Sequence, residues 1–115
     1  MIQEGSVFYF KGSEPKSHYH IVILRDPSEK DKRSIVVYLS TSRTRMDDTC
    51  TFRNGDDFFI TQDCWVRYRN CKIISDADLC KLEYIGVAKE STVKKIKDGF
   101  IKTLKTIQDD VRYTY

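Results

Sequence analysis

The sequence predicts an α+β domain in which a small β-barrel is followed by an amphipathic helix. Five or six short runs of β-branched and aromatic residues lie within the first 75 residues, which is typical of small barrels. Near the C-terminus a helical spacing of apolar residues replaces this pattern. We therefore expect a single domain, 1–115, with the barrel at about 5–87 and the helix at about 91–108.

Three strands are expected in the first 40 residues. Their apolar runs are SVFYF from Ser6 to Phe10, HYHIVIL from His18 to Leu24, and IVVYL from Ile35 to Leu39. Polar segments at Lys11 to Pro15 and at Glu29 to Arg33 are expected to form the connecting loops. The continuous apolar character of the third run indicates a strand that is buried on both faces.

A hairpin and two further strands are expected next. Thr49 to Phe52 and Phe58 to Thr61 have β character, and Asn54-Gly55 between them is a strong signal for a tight turn. The runs Trp65 to Tyr68 and Cys71 to Ile74 extend the β region. Arg67 and Arg69 would share one face of a regular strand.

The last third predicts a short helix, a returning strand and the final helix. The segment Ser75-Asp76-Ala77-Asp78 is rich in capping residues and predicts the start of a short helix that ends at about Leu82, and Tyr84 to Val87 has the pattern of a strand. Ser91 is the predicted cap of the final helix, in which Gly99 would permit close packing. The tail from Asp109 to Tyr115 is expected to be less ordered. The apolar face of the helix comprises Val93, Ile96, Phe100, Leu104 and Ile107.

Composition excludes several classes of protein. No segment approaches the roughly 20 apolar residues that a membrane span needs, and the N-terminal residues lack the pattern of a secretory signal. We expect a soluble cytoplasmic protein that does not bind a membrane. The formal charge of +3 is too small to indicate nucleic-acid binding by itself, so the positions of the charges must decide.

No metal or cofactor is expected. Cys50, Cys64, Cys71 and Cys80 contain no CxxC pair and are interpreted as reduced structural thiols. The aspartate pairs lie in turns and caps without the spacing of a calcium loop, and phosphate-binding glycine motifs and a GxSxG motif are absent.

The order of GSVFYF, HYHIVIL, SIVVYLSTS, TCTFRNGDDFFITQDCWVRY and a final helix resembles the PemK/MazF-like toxins. The resemblance covers about residues 5–107 and rests mostly on strand patterns. It implies an SH3-like barrel, a homodimer, an antitoxin protein as partner, and cleavage of single-stranded RNA without a metal.

The resemblance also implies a site. The family's serine or threonine after the third strand corresponds to Ser40 or Thr41. Its arginine, often followed by proline, before the second strand has no counterpart, because Ser17 to His20 occupies that stretch. Either activity has been lost, or histidine and nearby arginines replace the missing group. The candidate catalytic residues are His18, His20, Thr41 and Arg43.

Metal-free cleavage of RNA requires a base, an acid and cations that stabilise the charged phosphorane, and histidine and arginine suit these roles. A histidine at the start of a strand can equally be structural. Basic residues near aromatic rings could form a groove for single-stranded RNA. The alternative is that Trp65 is core, the arginines are solvated, and the barrel is a non-catalytic module that binds protein or nucleic acid. The candidate RNA-binding residues are Tyr19, Arg45, Arg53, Arg67 and Arg69.

Overall fold

The computed structural model describes residues 2–11, 17–26 and 32–114, with side chains described for 2–10, 18–26 and 32–106. Most of the two loops predicted after the first and second strands lies outside the described residues. The strands are β1 (Ser6–Lys11), β2 (Ser17–Arg25), β3 (Arg33–Ser40), β4 (Thr51–Phe52), β5 (Cys64–Val66), β6 (Lys72–Ser75) and β7 (Glu83–Val87). The helices are α1 (Asp76–Leu79) and α2 (Glu90–Thr114), and a single 3-10 turn spans Tyr68–Asn70.

All seven strands pair antiparallel in one sheet, so the predicted α+β class is confirmed. The pairing follows the order β4-β5-β3-β2-β1-β7, and β6 also pairs with β3. The two halves of β3 thus have different neighbours, because its N-terminal half pairs with β6 and its C-terminal half with β5. Among the described residues no pairing joins β4 to β7, so the sheet is not closed.

Alternation along the strands gives the sheet two apolar faces. The main core contains Val7, Ile21 and Val37 from the three long strands, and α2 packs against it through Ile96. The residues next to these in each strand point to the opposite face of the sheet. There a smaller core of Phe8, Val22, Val36 and Leu79 lies beneath α1.

The three predicted N-terminal strands are confirmed, but the predicted strand at Phe58 to Thr61 is wrong. Thr51 and Phe52 pair with Trp65 and Cys64 instead, so a long loop, 53–63, connects β4 to β5. Within this loop Gly55 has a φ of +91° and its N–H donates to the Ile60 carbonyl at 2.8 Å. The apolar residues Phe59 and Ile60 pack into the main core from this loop, which explains their strand-like pattern.

The regular strand predicted through Arg67 and Arg69 is also interrupted. The 3-10 turn at Tyr68–Asn70 separates β5 from β6, so these two arginines do not share a strand face. Tyr68 is buried in this turn, and its hydroxyl donates to the Ile96 carbonyl at 2.8 Å. The turn therefore joins the sheet to α2.

The predicted short helix begins as expected but ends at Leu79 rather than at about Leu82. The Ser75 hydroxyl caps it by accepting from the Asp78 N–H at 3.2 Å. The predicted cap of α2 is wrong. Helix α2 already includes Ser91, and the buried carboxylate of Asp57 in loop 53–63 accepts from the Lys89 N–H at 2.9 Å and the Thr92 hydroxyl at 2.7 Å. A residue distant in sequence thus accepts a hydrogen bond from the backbone N–H of Lys89, the residue before the helix, as the Glu or Gln of a capping box does.

The predicted apolar face of α2 is confirmed only near its start. Ile96 is fully buried, Val93 and Phe100 are partly buried against the main core, and Leu104 is exposed. The side chain of Ile107 lies outside the described residues. The helix backbone also continues to Thr114 through the tail that was expected to be less ordered. Gly99 is close-packed as predicted, because a Cβ at this position would overlap the Tyr68 hydroxyl.

All four cysteines are free thiols, with Cys50 and Cys64 buried and Cys71 and Cys80 exposed. Burial raises the pKa of the Cys64 thiol to about 11, and neighbouring Asp63 acts in the same direction. Within the described part of the chain, no helix is long and apolar enough to span a membrane.

Candidate functional site

Two adjoining cavities open where β3 ends and β5 begins. The larger cleft has a volume of about 630 Å³ and is lined by residues that include Arg43, Arg53 and Trp65. The smaller cavity has a volume of about 70 Å³ and is lined by residues that include His18 and Tyr19. Three residues line both cavities and so form their common wall: Thr41, Gln62 and Cys64.

The segment after β3 is held by hydrogen bonds to its backbone. The Ser40 hydroxyl accepts from the Ser42 N–H at 3.2 Å, and the indole N–H of Trp65 donates to the Ser42 carbonyl at 2.6 Å. Further along, the Arg69 guanidinium donates to the Arg45 carbonyl at 3.1 Å. These bonds position Arg43 at the mouth of the larger cleft.

Charge in the larger cleft comes from two arginines and one aspartate. Arg43 follows β3, Arg53 follows β4, and Asp63 precedes β5. The Asp63 carboxylate accepts from the Asn54 N–H at 2.9 Å, so part of its hydrogen-bonding capacity is used within loop 53–63. The two guanidinium groups give the cleft the donors that a phosphate or carboxylate would need.

His18 lies beside the smaller cavity. Its ring centroid is 4.9 Å from that of Tyr38, which places it on the outer face of the sheet at the edge of the cavity. Thr41 lines both cavities, so it belongs to the wall between the cavity that His18 lines and the cleft that Arg43 lines.

His20 does not line either cavity. Its ring packs near Tyr38 and Phe10, with centroid separations of 5.7 and 6.2 Å, and its Nδ1 is buried without a hydrogen-bond partner among the described residues. Burial lowers the pKa of His20 below 6.5, and the positive charges of His18 and Lys72 act in the same direction, against a backbone interaction with His18. The ring is therefore neutral at pH 7.

The predicted RNA-binding residues are spread over several environments. Arg53 lines the larger cleft, whereas Tyr19 lines the smaller cavity and packs its ring 5.7 Å from Phe59. Arg45 and Arg69 are exposed and lie outside both cavities, and a hydrogen bond from the Arg69 guanidinium to the Arg45 carbonyl connects them. Arg67 is half-buried with its guanidinium carbon 5.7 Å from the centre of the Trp65 ring. Trp65 is buried and cannot stack on a base.

Two residues of the common wall were missed by the sequence analysis. Gln62 was overlooked because it follows the run 58–61, which was interpreted as a strand. Cys64 was interpreted as structural, and its raised pKa keeps it as the neutral thiol rather than the nucleophilic thiolate at pH 7. Across the described ranges, no three His, Cys, Asp or Glu residues lie close enough to hold a metal ion.

No protein-family model matches the chain, and no curated protein is significantly similar to it.

Proposed function

We propose that this protein is a PemK/MazF-like endoribonuclease that binds single-stranded RNA across the two cavities and cleaves it without a metal. The observation that carries this proposal is the common wall at Thr41, with His18 on one side and Arg43 and Arg53 on the other. A base and two cations that line adjoining cavities supply the kinds of group that metal-independent RNA cleavage needs.

In this mechanism His18 acts as the general base and accepts the proton of a ribose 2′-hydroxyl. The 2′-oxygen attacks the adjacent phosphorus while the bond from phosphorus to the 5′-oxygen breaks. Arg43 and Arg53 stabilise the negative charge of the phosphorane, and the Thr41 hydroxyl donates to a phosphate oxygen. The departing 5′-oxygen takes a proton from solvent, which gives a 2′,3′-cyclic phosphate and a 5′-hydroxyl.

The proposal includes an SH3-like arrangement of the sheet, a homodimer, an antitoxin protein as partner, and a cytoplasmic location. The order of three long N-terminal strands, short later strands and a C-terminal helix supports this arrangement. The proposed RNA site does not depend on closure of the sheet, because both cavities lie where β3 meets β5.

The test compares two histidine variants in one assay. A long single-stranded RNA is incubated in EDTA with the wild-type protein, with His18→Ala, or with His20→Ala. We expect His18→Ala to reduce the cleavage rate about 100-fold to 10,000-fold, as for loss of a general base. The matched variant His20→Ala removes the same ring from a residue outside both cavities and should retain cleavage.

Equal losses in the two variants would contradict the assignment of His18, provided that circular dichroism shows both to be folded. Absence of cleavage by the wild-type protein would contradict the proposed endoribonuclease activity.

A non-catalytic module that binds RNA or protein is the second candidate. The observation that favours it is the position of His20, because only one of the two histidines reaches the cavities and no second acid–base histidine is present there. Such a module would bind RNA with an affinity that falls with salt, and Arg43→Ala would reduce both the affinity and its salt dependence without any cleavage to lose.

A further inference from the structure

The outer face of the sheet carries a row of aromatic rings that crosses four strands. Tyr84 of β7 lies opposite Phe8 of β1, Phe8 lies opposite His20 of β2, and His20 lies opposite Tyr38 of β3. Phe10 and His18 form the next pair along β1 and β2. Neighbouring rings are in contact, with centroids 5.6 Å apart for Phe8 and Tyr84 and 4.9 Å apart for His18 and Tyr38.

From this row we infer that the outer face of the sheet is a base-stacking surface for the RNA strand whose phosphate lies at Thr41. This inference rests on the proposed function, because it identifies where the strand continues beyond the cavities. We call the four residues Phe10, His18, Tyr38 and Tyr84 the aromatic face. Phe8 is 3% exposed and the Nδ1 of His20 is buried, so these two rings support the aromatic face from below and are not expected to stack on a base.

Much of the aromatic face is open to solvent. Helix α2 packs on the other side of the sheet, while α1 covers the part that includes Phe8, Val22 and Val36. Phe10 is 44% exposed and Tyr84 55% exposed, although both are large apolar rings on strands. These two rings are the part of the row that a ligand can contact most readily.

The chemistry of the surroundings favours single-stranded nucleic acid as that partner. Every base has a flat π-face, so aromatic rings on a sheet can stack unpaired bases without sequence readout. Lys72 of β6 pairs with Val36 of β3 and lies close enough to His20 for its charge to lower the pKa of that ring. Lys72 therefore places a cation next to the rings, where it can neutralise a phosphate.

The aromatic face is continuous with the candidate site. His18 lines the smaller cavity together with Thr41 and also contacts Tyr38, so an RNA strand with its phosphate at Thr41 would continue from the cavity onto the rings. Residues of the cavities would then catalyse cleavage of the RNA, and the aromatic face would bind the flanking nucleotides whatever their sequence.

The experiment measures binding of an RNA that cannot be cleaved. A fluorescein-labelled 2′-O-methyl 12-mer of adenosine lacks the free 2′-hydroxyl, so its anisotropy in EDTA reports binding alone. We expect Phe10→Ala and Tyr84→Ala each to weaken binding about 5-fold to 100-fold, the range for loss of one stacked base. The matched control is Phe58→Ala, which removes a ring that is 55% exposed on loop 53–63, outside the aromatic face, and should bind like the wild type.

Binding by Phe10→Ala and Tyr84→Ala within about twofold of the wild type would overturn the inference, as would an equal loss in Phe58→Ala. Circular dichroism of each variant excludes unfolding as the cause. Weakened binding in the two variants together with absence of cleavage by the wild-type protein would support the aromatic face and contradict only the enzymatic part of the proposed function.

Discussion

His18 and His20 are two residues apart on β2, yet they have different environments. Both contact Tyr38, as expected for residues that share one face of a strand. His18 borders a cavity, whereas His20 lies under Phe10 with a buried Nδ1. The spacing of two residues predicts that both histidines lie on one face of β2. How deeply each ring is buried depends on the side chains of the neighbouring strands, so the sequence alone could not distinguish the environments of His18 and His20.

The buried His20 makes the stability of the fold sensitive to acid. Its pKa is lowered on folding, so the unfolded chain binds more protons than the folded protein as the pH falls through about 6.5. The free energy of unfolding should therefore decrease between pH 8 and pH 5.5. Below the pKa of His20 in the folded protein, protonation of this ring should cause no further decrease. Urea denaturation at the two pH values measures the change.

The variant His20→Gln cannot gain this proton and should lose less stability than the wild type over the same range. Asp76 does not interfere, because hydrogen bonding to Arg25 lowers the pKa of its carboxyl below 3.8. If the variant loses as much stability as the wild type, another group must be responsible.

At the scale of elements, helix α2 shows what an apolar period predicts and what it omits. The spacing correctly identified the buried side at Ile96 but also predicted burial of Leu104, which is exposed. A helix of 25 residues is about 37 Å long, whereas the 9-residue β2 spans only about 30 Å. The pattern defines a face of the helix, but it does not define where the surface beneath that face ends.

Two isoleucines on α2 provide a matched test of this boundary. Ile96 is 0% exposed in the main core, and Ile101 is 53% exposed. We expect Ile96→Ala to lower the free energy of unfolding by about 2–5 kcal/mol, and Ile101→Ala to change it by less than about 0.5 kcal/mol. Urea denaturation of both variants measures the difference. Similar losses would mean that a partner chain or another segment covers Ile101.

Loop 53–63 illustrates a second limit of sequence patterns. Phe58, Phe59 and Ile60 have the composition of a strand, but they follow a turn at Gly55 and insert two side chains into the core from irregular backbone. Strand propensity largely measures how a residue fits a half-buried surface. A buried loop meets the same requirement, so composition alone could not separate the two structures.

At the scale of the whole molecule, two polar contacts connect elements that are far apart in sequence. Arg25 of β2 and Asp76 of α1 form a two-bond ion pair with distances of 2.7 and 2.6 Å. Asp57 connects loop 53–63 to the start of α2, and its other oxygen accepts from the Phe58 N–H at 2.7 Å. The first contact fixes α1 on the outer face, and the second fixes the loop that carries part of the cavity wall.

Removal of the Asp57 carboxylate should destabilise the whole fold. Asp57→Ala leaves the Lys89 N–H and the Thr92 hydroxyl without their acceptor, and we expect a loss of about 1–3 kcal/mol in the free energy of unfolding. Asp48→Ala, an exposed aspartate of the segment after β3, is the control and should be within about 0.5 kcal/mol of the wild type. If Asp57→Ala lowers the free energy of unfolding by less than about 0.5 kcal/mol, water replaces the carboxylate as the hydrogen-bond acceptor.

Trp65 gives the molecule a built-in optical probe. It is the only tryptophan in the chain, its ring lines the larger cleft, and its indole N–H is bonded to the Ser42 carbonyl in the segment that carries Arg43. Indole emission depends on the polarity and hydrogen bonding of its surroundings. Movement of this segment, or entry of a ligand into the cleft, should therefore change the emission of the unlabelled protein, and the signal comes from a single known position.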